Sequence, residues 1–450
     1  MPINTQYAGY EDGLKKSTQV KDFAAGDIKV KSKGEDYLPK LTGQTQAEYN
    51  AYLNRGAVIP AVSPTVSAIT GAIMRKESLI ETTIVNIESN INGKDQDVKL
   101  FTCNAIAELL LSGGVGQLVE WDNELNAPTV KTYTKESLIN YSYDYIVLTQ
   151  NYTVRDQKDK FKETVHTEYL ELTYDESGNY IQNRWRKTKN GFAIVEVLTP
   201  TNRGAPLKEI PFVFVTIGGL GIANTDPLLL NLSNVNLNQY RLSADQRHGL
   251  HWTALPTLFV FGAIADDDGN KKQIKVGAGS FNHIEDESAR VELLEFSGAG
   301  LASVKSAIDD DINTMSSIGA KMLTSEQGGV KAAETARIDA SSETATLSTI
   351  ANAIDLMMNE IFRIIDEWAG TTGSTYAINR DFVDVKVDPQ ALQAYLQTYL
   401  SGGMSLDTFL NLLYKGELLP KGITPEDEAD RIEQGGNDFA DNTPPDNLAL

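Results

Sequence analysis

Two histidines three positions apart have the spacing in this chain that most suggests a metal-binding pair. His248 and His251 fall near the end of a predicted helix, where residues three apart share a face as two metal ligands do. A zinc site needs at least a third ligand, and the nearest acidic side chain is Asp245. Histidines at a helix end beside Trp252 more often pack and cap, so we predict no metal site here.

Acidic runs raise a second possibility, that of cation binding. The turn ADDDGN at 265–270 resembles part of a calcium loop, but it lacks the alternate oxygen ligands and the final glutamate. Asp309, Asp310 and Asp311 cannot all lie on one helix face, so at least one of them is exposed. Both runs therefore indicate charged surface rather than a cation site.

Motifs of familiar enzymes do not occur in the sequence. GGVG at 113–116 follows a predicted helix and has no GK[ST] after it, so it is not a phosphate-binding loop. Neither a G-x-S-x-G elbow nor an H-E-x-x-H zinc motif occurs, and the chain has only 4 histidines. The single cysteine, Cys103, lies in the apolar run LFTCNAIAELLL and is predicted to be a buried structural thiol. We therefore predict a protein that is not an enzyme and uses no cofactor.

Length and charge further limit the kinds of protein that this chain can be. At 450 residues the chain is long enough for two or more structural units. It has no apolar run long enough to span a membrane, and its N-terminus lacks the apolar core of a secretory signal, so we expect synthesis in a cytoplasm. The formal net charge of −21 argues against a protein that reads DNA sequence. It is compatible with a channel whose acidic lining repels phosphate and lets a duplex slide.

Residue patterns predict the elements of the first half of the chain. Residues 1–45 are polar and contain turn signals, which indicates a loosely ordered arm. Apolar spacing predicts proline-interrupted helices over 45–81 and an apolar helix over 97–112. Between about 115 and 217, alternating β-branched and aromatic segments predict an antiparallel sheet with one face in contact with water.

The stretch from Asn224 to Gly370 is the most informative part of the second half. It predicts a helix, a strand-rich insertion, a second helix, a glycine break and a very long helix. The long helix, from Ala332 to Trp368, would have about thirty-five residues and measure roughly 50 Å. Such a run makes a poor catalytic pocket but a good wall segment for a ring with a central channel. A strand, two helices and a mobile acidic tail from Thr424 are predicted to follow.

Three sequence blocks in a fixed order carry a family resemblance. They are DPLLLNLSNVNLNQYRLSADQRHGLHWTALPTLFVFG, IGAKML and ETARIDASSETATLSTIANAI, and IPFVFV precedes them. The combination resembles the portal proteins of tailed bacteriophages, in particular the group of phage portals with an uncharacterised domain. The similarity covers roughly residues 45 to 370 and rests on long blocks rather than on one short signature.

The resemblance implies an α+β fold, that of a portal-like subunit with a wing, a two-helix stem, a small β-containing clip, a tunnel loop, a long wing helix and a helical C-terminal crown. The implied parts are an N-terminal arm (1–45), the wing (46–222, helical and then antiparallel β-rich), the first stem helix (223–251), the clip (252–298), the second stem helix (299–323), the tunnel loop (324–333), the long wing helix and strand (334–388), the crown helices (389–423) and a mobile acidic tail (424–450).

The same resemblance implies a function and a set of partners. Portal proteins form dodecameric rings at one capsid vertex of the virion, conduct double-stranded DNA during packaging and ejection, and dock the terminase and the head–tail adaptor. We accordingly expect a homododecamer that contacts DNA non-specifically, the major capsid protein, the terminase large subunit and the adaptor, and that assembles in the cytoplasm of a bacterial host. The alternatives are another head–tail connector or adaptor of the virion, or an enzyme that uses His248 and His251 with a carboxylate.

The implied tunnel loop, the stem helix before it and the clip hold the candidate functional residues. A loop beside moving DNA must flex, which glycine permits, and lysines can make weak contacts with phosphates. The DNA-channel candidates are Gly328, Gly329, Lys331, Lys321 and Lys305. Contact with solvent or a salt bridge between subunits is the alternative role of each lysine. The candidates for terminase and adaptor docking are Asp266, Asp267, Asp268, Lys271 and Lys272.

Overall fold

The computed structural model of the chain describes residues 2–156, 158–253, 257–261, 290–294, 299–321, 333–380, 382, 389–415, 418–420 and 423–440. Within these ranges the fold is α+β, as predicted, and every strand pairing is antiparallel. The chain divides into two compact units, Met1–Phe382 and Val383–Leu450. None of the described helices combines the length and the apolarity that a membrane span needs.

The first unit contains eight described α-helices, and side chains cap two of them. They are α1 (Tyr10–Ala25), α2 (Asp27–Lys31), α3 (Gln46–Arg55), α4 (Val62–Ile73), α5 (Val98–Ser112), α6 (Leu230–Thr253), α7 (Ala299–Lys321) and α8 (Ala333–Ala369). Thr45 and Glu48 form a capping box at the start of α3. Asp97 caps α5 by accepting a hydrogen bond of 2.6 Å from a backbone N–H of its first turn. The helix predicted over 97–112 is confirmed, and so are the helices predicted over 45–81, except that they end at Ile73 and Leu79–Glu81 form a strand.

The strands form two main sheets. They are β1 (Leu79–Glu81), β2 (Gly114–Asp122), β3 (Ala127–Thr134), β4 (Leu138–Tyr141), β5 (Tyr145–Arg155), β6 (Glu163–Tyr174), β7 (Tyr180–Thr188), β8 (Gly191–Leu198), β9 (Thr201–Asn202), β10 (Ala205–Pro206), β11 (Phe212–Thr216), β12 (Gly219–Leu220), β13 (Thr257–Phe261), β14 (Arg290–Leu294) and β15 (Thr375–Ala377). The first sheet has the order β12-β11-β2-β3, and the second is a meander from β4 to β8. The antiparallel sheet predicted over about 115–217 is therefore confirmed, but it is divided in two.

Burial explains why the β-rich region divides. Residues 114–119 of β2 are all buried, so both faces of the first sheet are covered by the rest of the chain. In the second sheet, β5 is buried only near its beginning and no residue of β8 is buried. The water-exposed face that the alternating pattern predicted belongs to this second sheet.

The C-terminal half of α8 forms the centre of the first unit. Its apolar side chains recur at helical spacing and are almost completely buried. They include Leu347, Ile350, Ile354, Met357, Ile361, Phe362, Ile365 and Trp368. These side chains pack in one core with the first sheet and with α4 and α5, and the burial of each contributes about 1.5–3 kcal/mol. The long helix predicted from apolar spacing is confirmed, with a length of 37 residues.

Polar side chains of α8 hold the chain segment that follows it. Asn359 donates to the carbonyl of Tyr376 at 2.7 Å and accepts from the Tyr376 backbone N–H at 3.0 Å. Asp366, which is buried, accepts hydrogen bonds from Ser374 and Thr371. Burial alone would raise the pKa of Asp366, but these hydrogen bonds outweigh it and lower the pKa. The segment is thereby positioned for β15 to pair with β1.

Helix α1 belongs to the core, so the prediction that 1–45 is a loosely ordered arm is wrong. Its apolar side is buried, with Phe23 almost fully covered. On another side, Lys21 Nζ lies 2.7 Å from Glu108 and 2.8 Å from Glu136. Burial alone would lower the pKa of Lys21, but the two carboxylates outweigh it and raise the pKa. Polar residues of α1, which in the sequence suggested contact with solvent, therefore make tertiary contacts in the fold.

The described part of the second unit is helical. Its helices are α9 (Pro389–Leu400), α10 (Leu406–Lys415) and α11 (Pro425–Ala440), and α10 packs against the other two. The rings of Tyr399 and Phe409 stack with centroids 5.1 Å apart, which joins α9 to α10. Both helices predicted before the tail are confirmed. Thr424 and Asp427 cap α11, so 425–440 form a helix instead of the predicted mobile tail, whose remainder lies outside the described residues.

A tight corner connects α5 to β2 and touches the segment that leads into α6. Gly113 ends α5 with a left-handed φ of 82°, and its carbonyl accepts a 2.6 Å hydrogen bond from Thr225 Oγ1. A Cβ at this position would lie 2.7 Å from the Thr225 carbonyl oxygen and 2.8 Å from that of Asp226. Backbone atoms cannot move away cheaply, so the corner requires glycine for two reasons, its φ and its close contact.

We predict that Gly113→Ala lowers the free energy of unfolding by about 3 kcal/mol, because left-handed strain and a backbone clash add. Gly178→Ala is the matched control, since Gly178 also has a positive φ of 72° but has open space around it. It should cost only about 1 kcal/mol. Urea denaturation of both variants measures the difference, and equal costs would contradict the close contact at Gly113.

Candidate functional site

The predicted helix, strand-rich insertion and second helix form a hairpin in the structure. α6 and α7 pack side by side, and a Cβ on Gly249 would lie 2.6 Å from Leu301 Cδ2, so the end of α6 meets the beginning of α7. Between them β13 pairs with β14 in antiparallel register, from Thr257 opposite Leu294 to Phe261 opposite Arg290. The helices therefore run antiparallel, with a two-stranded element at their shared end.

The first part of α6, at the base of the hairpin, is buried in the core. Between Leu232 and Ala244 most of the circumference of α6 is buried, including the polar side chains of Gln239 and Ser243. The Gln239 amide accepts from the Ile59 backbone N–H at 3.2 Å and donates to the Ala57 carbonyl at 3.1 Å. Buried amides are tolerated when they are paired in this way. This part of α6 is thus a core helix.

The candidate pair of histidines links α6 to α3. Asp245 accepts a 2.6 Å hydrogen bond from the Tyr52 hydroxyl. The ring of His248 stands edge-on to Tyr52 with centroids 5.2 Å apart, and its Nδ1 lies 3.3 Å from Arg55 Nη1. Because a guanidinium only donates, Nδ1 is the acceptor in this contact. His251 is exposed. These residues therefore act as packing and hydrogen-bonding groups between two helices, and in the described part of the chain no three potential ligands gather as a metal site.

The α7 helix has one packed face and one uncovered face. On the packed face Ile308 and Met315 are buried, and the neighbouring apolar positions are partly buried. The uncovered face carries small or polar side chains, namely Ala302, Ser303, Lys305, Ser306, Asp309, Asp310, Asn313, Thr314, Ser316 and Ser317. Of the acidic run, only Asp311 is partly buried, and burial followed by the charge of Asp310 raises the pKa of Asp311.

Of the predicted site lysines, one has its side chain among the described residues. Lys305 is exposed on α7, and Lys321 is the last residue of that helix, with its side chain outside the described residues. The other channel candidates, Gly328, Gly329 and Lys331, lie outside the described residues. The same is true of the docking candidates Asp266, Asp267, Asp268, Lys271 and Lys272. The roles of these residues stay predictions.

A cavity of about 350 Å³ lies between the two sheets and the end of α8. The indole rings of Trp121 and Trp368 stack at its wall with centroids 6.2 Å apart. The Glu120 carboxylate is paired with Lys131 and accepts a 2.9 Å hydrogen bond from Gln182. Among the residues that line the cavity, no hydroxyl donates to a carboxylate or an imidazole. The lining therefore lacks the hydrogen-bonded hydroxyl and base of a serine-type hydrolase.

Two exposed surfaces of the second sheet have no counterpart among the predicted site residues. The outer edge of β8 is unpaired in the sheet order, and Val195 and Val197 are 48% and 56% exposed. The ends of the β5–β6 and β7–β8 hairpins carry lysines and arginines in the segments RDQKDKFK and RWRKTK. Both signals are present in the sequence, but strand order and pairing are needed to recognise an edge and to bring the two basic segments together.

Comparison with known proteins yields one family match and several structural neighbours. A family described as Domain of unknown function (DUF4055) matches residues 227–369, which span α6 to α8. No curated protein sequence matches the chain.

The structural neighbours are distant from this chain. A chain from the neck of an empty gene transfer agent (GTA) particle computed with C6 symmetry aligns with a TM-score of 0.40 and 11% identity, over 86% of this chain and 98% of that one. A chain of the native GTA neck computed with C12 symmetry gives 0.39 and 10%, over 86% and 98%. A HK97-family phage portal protein from Corynebacterium diphtheriae gives 0.33 and 12%, over 75% and 95%.

The contact of His248 with Arg55 predicts a pH dependence of stability. Burial and then the Arg55 charge lower the pKa of His248 below 6.5, and the charges that face it are those of Arg55, His251, Asp245 and Glu48. A lowered pKa contributes stability that is fully present above pH 6.5 and is lost as the pH falls through the folded-state pKa.

We therefore expect the wild type to lose more stability than His248→Gln when the pH falls from about 7.5 to about 5.5. Urea denaturation of both proteins at the two pH values measures this. A wild type whose acid sensitivity equals that of the variant would contradict the buried, Arg55-bound histidine.

Proposed function

We propose that this protein is a portal subunit, a structural protein without catalytic activity that forms a dodecameric ring at one vertex of a phage capsid. In this proposal the ring is the channel for packaging and ejection of double-stranded DNA and the docking site for the terminase and the head–tail adaptor. The subunit would be assembled in the bacterial cytoplasm, join the major capsid protein, and stay in the virion.

The helical hairpin is the observation that carries this proposal. α6 is covered by its own chain, whereas α7 keeps a small, polar face uncovered along its described residues. A protein wall that conducts a hydrated polyanion needs such a face, because apolar side chains would expose hydrophobic surface to water. The hairpin is followed, after 322–332, by a helix of 37 residues that returns into the core. This order is the one that the sequence resemblance assigns to stem, clip, stem, tunnel loop and wing helix.

The charge of the uncovered face supports a channel rather than a tight DNA-binding site. Lys305 is followed one turn later by Asp309 and Asp310, and the whole chain has a formal net charge of −21. One lysine per subunit among carboxylates gives many weak contacts around a ring instead of one strong contact. DNA must translocate through a portal, so weak contacts suit the task. Terminase and adaptor docking is assigned to 252–298 by the resemblance alone.

The edge of the second sheet supports assembly into a homo-oligomer. An unpaired edge strand with exposed valines is a site at which another chain can add, and proteins normally cover or charge such edges. β8 presents Val195 and Val197 in this way, with Glu196 between them paired to Arg184 at 2.8 Å. We propose that a neighbouring subunit covers this edge in the ring.

Negative-stain electron microscopy tests ring formation directly. We expect the wild type to form rings with a central hole, and Val195→Lys with Val197→Lys to shift the population toward monomers at equal concentration, since charge on the edge opposes its burial. The control, Val85→Lys with Leu100→Lys, changes exposed apolar residues elsewhere and should keep the rings. A wild type that stays monomeric even at high concentration would refute the portal proposal, whereas rings in all variants would refute only the role of β8.

The channel role of the lysines is tested by charge reversal. We expect Lys331→Glu and Lys305→Glu to leave ring assembly intact and to impair DNA packaging or retention, because each places an additional carboxylate ring beside the duplex. The length of the genome packaged in particles built with each variant is the measurement, and Lys99→Glu, an exposed lysine on α5, is the control. Unchanged genome length would count against a lumen role, and loss of rings would indicate a contact between subunits.

A further inference from the structure

The second sheet brings two basic hairpin turns together at one end of its strands. Because β4 to β8 form a meander, the β5–β6 and β7–β8 turns lie at the same end of the sheet, and the turns before β5 and before β7 lie at the other. We call this end the basic edge, defined by Arg155, Lys158, Lys160, Lys162, Lys187 and Lys189. Its residues belong to none of the elements that the resemblance assigns to the DNA channel.

The basic edge stands on a rigid, projecting scaffold. β5 and β6 stay paired out to Arg155 opposite Glu163, whereas the pairing of β6 with β7 ends at Tyr169 opposite Trp185. The β5–β6 ladder therefore continues six residues beyond the wider sheet, or about 20 Å as a two-stranded ribbon. The β7–β8 hairpin continues three residues beyond Trp185, or about 10 Å.

Contacts between the two hairpins fix their relative position. Arg186 Nε donates to Glu168 Oε2 at 2.7 Å, and the same guanidinium lies 4.0 Å from the ring centroid of Tyr152. The Glu168 carboxylate is buried and also accepts from Gln150 at 2.8 Å. A charge-assisted hydrogen bond and a cation–π contact thus brace the ribbon against the shorter hairpin. The lysines of the two ends are held on two levels about 10 Å apart.

The lysines of the basic edge differ from several other lysines of this acidic chain. Lys16, Lys21 and Lys33 each lie within about 3 Å of a carboxylate. By contrast, no carboxylate among the described residues is within ion-pair distance of any lysine of the basic edge, namely Lys158, Lys160, Lys162, Lys187 and Lys189. All of these lysines are exposed. The ribbon end also carries Asp156 and Asp159, but their carboxylates accept backbone N–H groups of the turn. The lysine side chains therefore stay available to a polyanion, whose counterions are released when it binds.

The shape of the scaffold favours duplex DNA over an acidic protein surface. The major groove of DNA, about 12 Å wide, admits a two-stranded β-ribbon, and cations on such a ribbon reach phosphates on both sides of the groove. Phe161 stands 85% exposed at the ribbon end, with Lys160 Nζ 5.0 Å from its ring centroid. An apolar ring amid lysines at the tip of a ribbon suits insertion into a groove better than contact with a carboxylate-rich protein face.

We propose that the basic edge is a second DNA-contacting surface, which binds the phosphate backbone of duplex DNA without sequence preference. This inference rests on the proposed portal function, because it gives the ring a DNA contact outside its channel elements. The acidic lining lets DNA pass, whereas the basic edge holds a neighbouring segment of duplex. Affinity at this surface comes from counterion release, so it falls steeply with salt.

The test compares two full-length variants with the same change in charge. Lys158→Glu, Lys162→Glu, Lys187→Glu and Lys189→Glu are combined in the edge variant, and Lys15→Glu, Lys29→Glu, Lys94→Glu and Lys99→Glu in the control, whose lysines also lie on the surface. Fluorescence anisotropy with a short random-sequence duplex, between about 50 and 200 mM salt, gives the affinity and its salt slope. Lysine-to-glutamine versions of both variants repeat the comparison with a smaller perturbation.

We expect the edge variant to bind at least about tenfold more weakly, with a salt slope smaller by about 0.9 for each phosphate that the variant no longer neutralises. The control should stay close to the wild type. Equal weakening in both variants would overturn the proposal, since net charge alone would then explain it, and so would a wild type that fails to bind DNA at the lowest salt.

Ring images of the same samples separate the inference from the portal proposal. Rings in the edge variant together with weakened DNA binding support both. Loss of rings in the edge variant alone would overturn the inference, because the lysines would then contact another subunit. Tight competition by polyglutamate, at equal charge, would also overturn it in favour of an acidic protein partner. Absence of rings in the wild type refutes the portal function, whatever the DNA affinity.

Discussion

The close packing of α8 is the constraint on which the rest of the first unit depends. From Leu347 to Trp368 this helix is covered by the first sheet and by α4 and α5, so each of those elements is positioned by contact with the same helix. A close-packed interior cannot be filled in many ways, and a shift of α8 would open cavities against several neighbours at once. Asn359 and Asp366 extend this control to the strand that follows. The hairpin of α6 and α7 is thus attached to a body with one well-defined arrangement.

Periodicity predicted the helices well because their apolar faces are continuous, as in α7 and α8. It did not predict burial where polar side chains have tertiary partners. Lys21 in α1 and Gln239 in α6 resemble solvent-facing residues in the sequence, yet one bridges two carboxylates and the other pairs with an extended backbone segment. No local pattern records a partner that lies 87 or 180 positions away. For the same reason, the division of the β-rich region into two sheets could not be predicted.

The candidate site was likewise predictable only in part. The resemblance supplied candidate residues in the second stem helix, the tunnel loop and the clip, and of these the described structure places the side chain of Lys305 alone. The histidine pair was correctly spaced for one helix face, but its neighbours Tyr52 and Arg55 come from another helix and determine its role. The basic edge escaped prediction because its two lysine groups are separated in sequence and meet only through the meander.

The manner in which α6 is embedded has a mechanical consequence. Gln239, Ser243 and Asp245 accept hydrogen bonds from α3 and from the segment after it, at several points along the helix axis. A force applied at the β13–β14 end therefore travels down the helix and is shared among several lateral attachments before it reaches the centre of the subunit. An α-helix resists compression along its axis far better than a loop does. The hairpin therefore has the construction of a strut, which transmits a load on its end into the body of the protein.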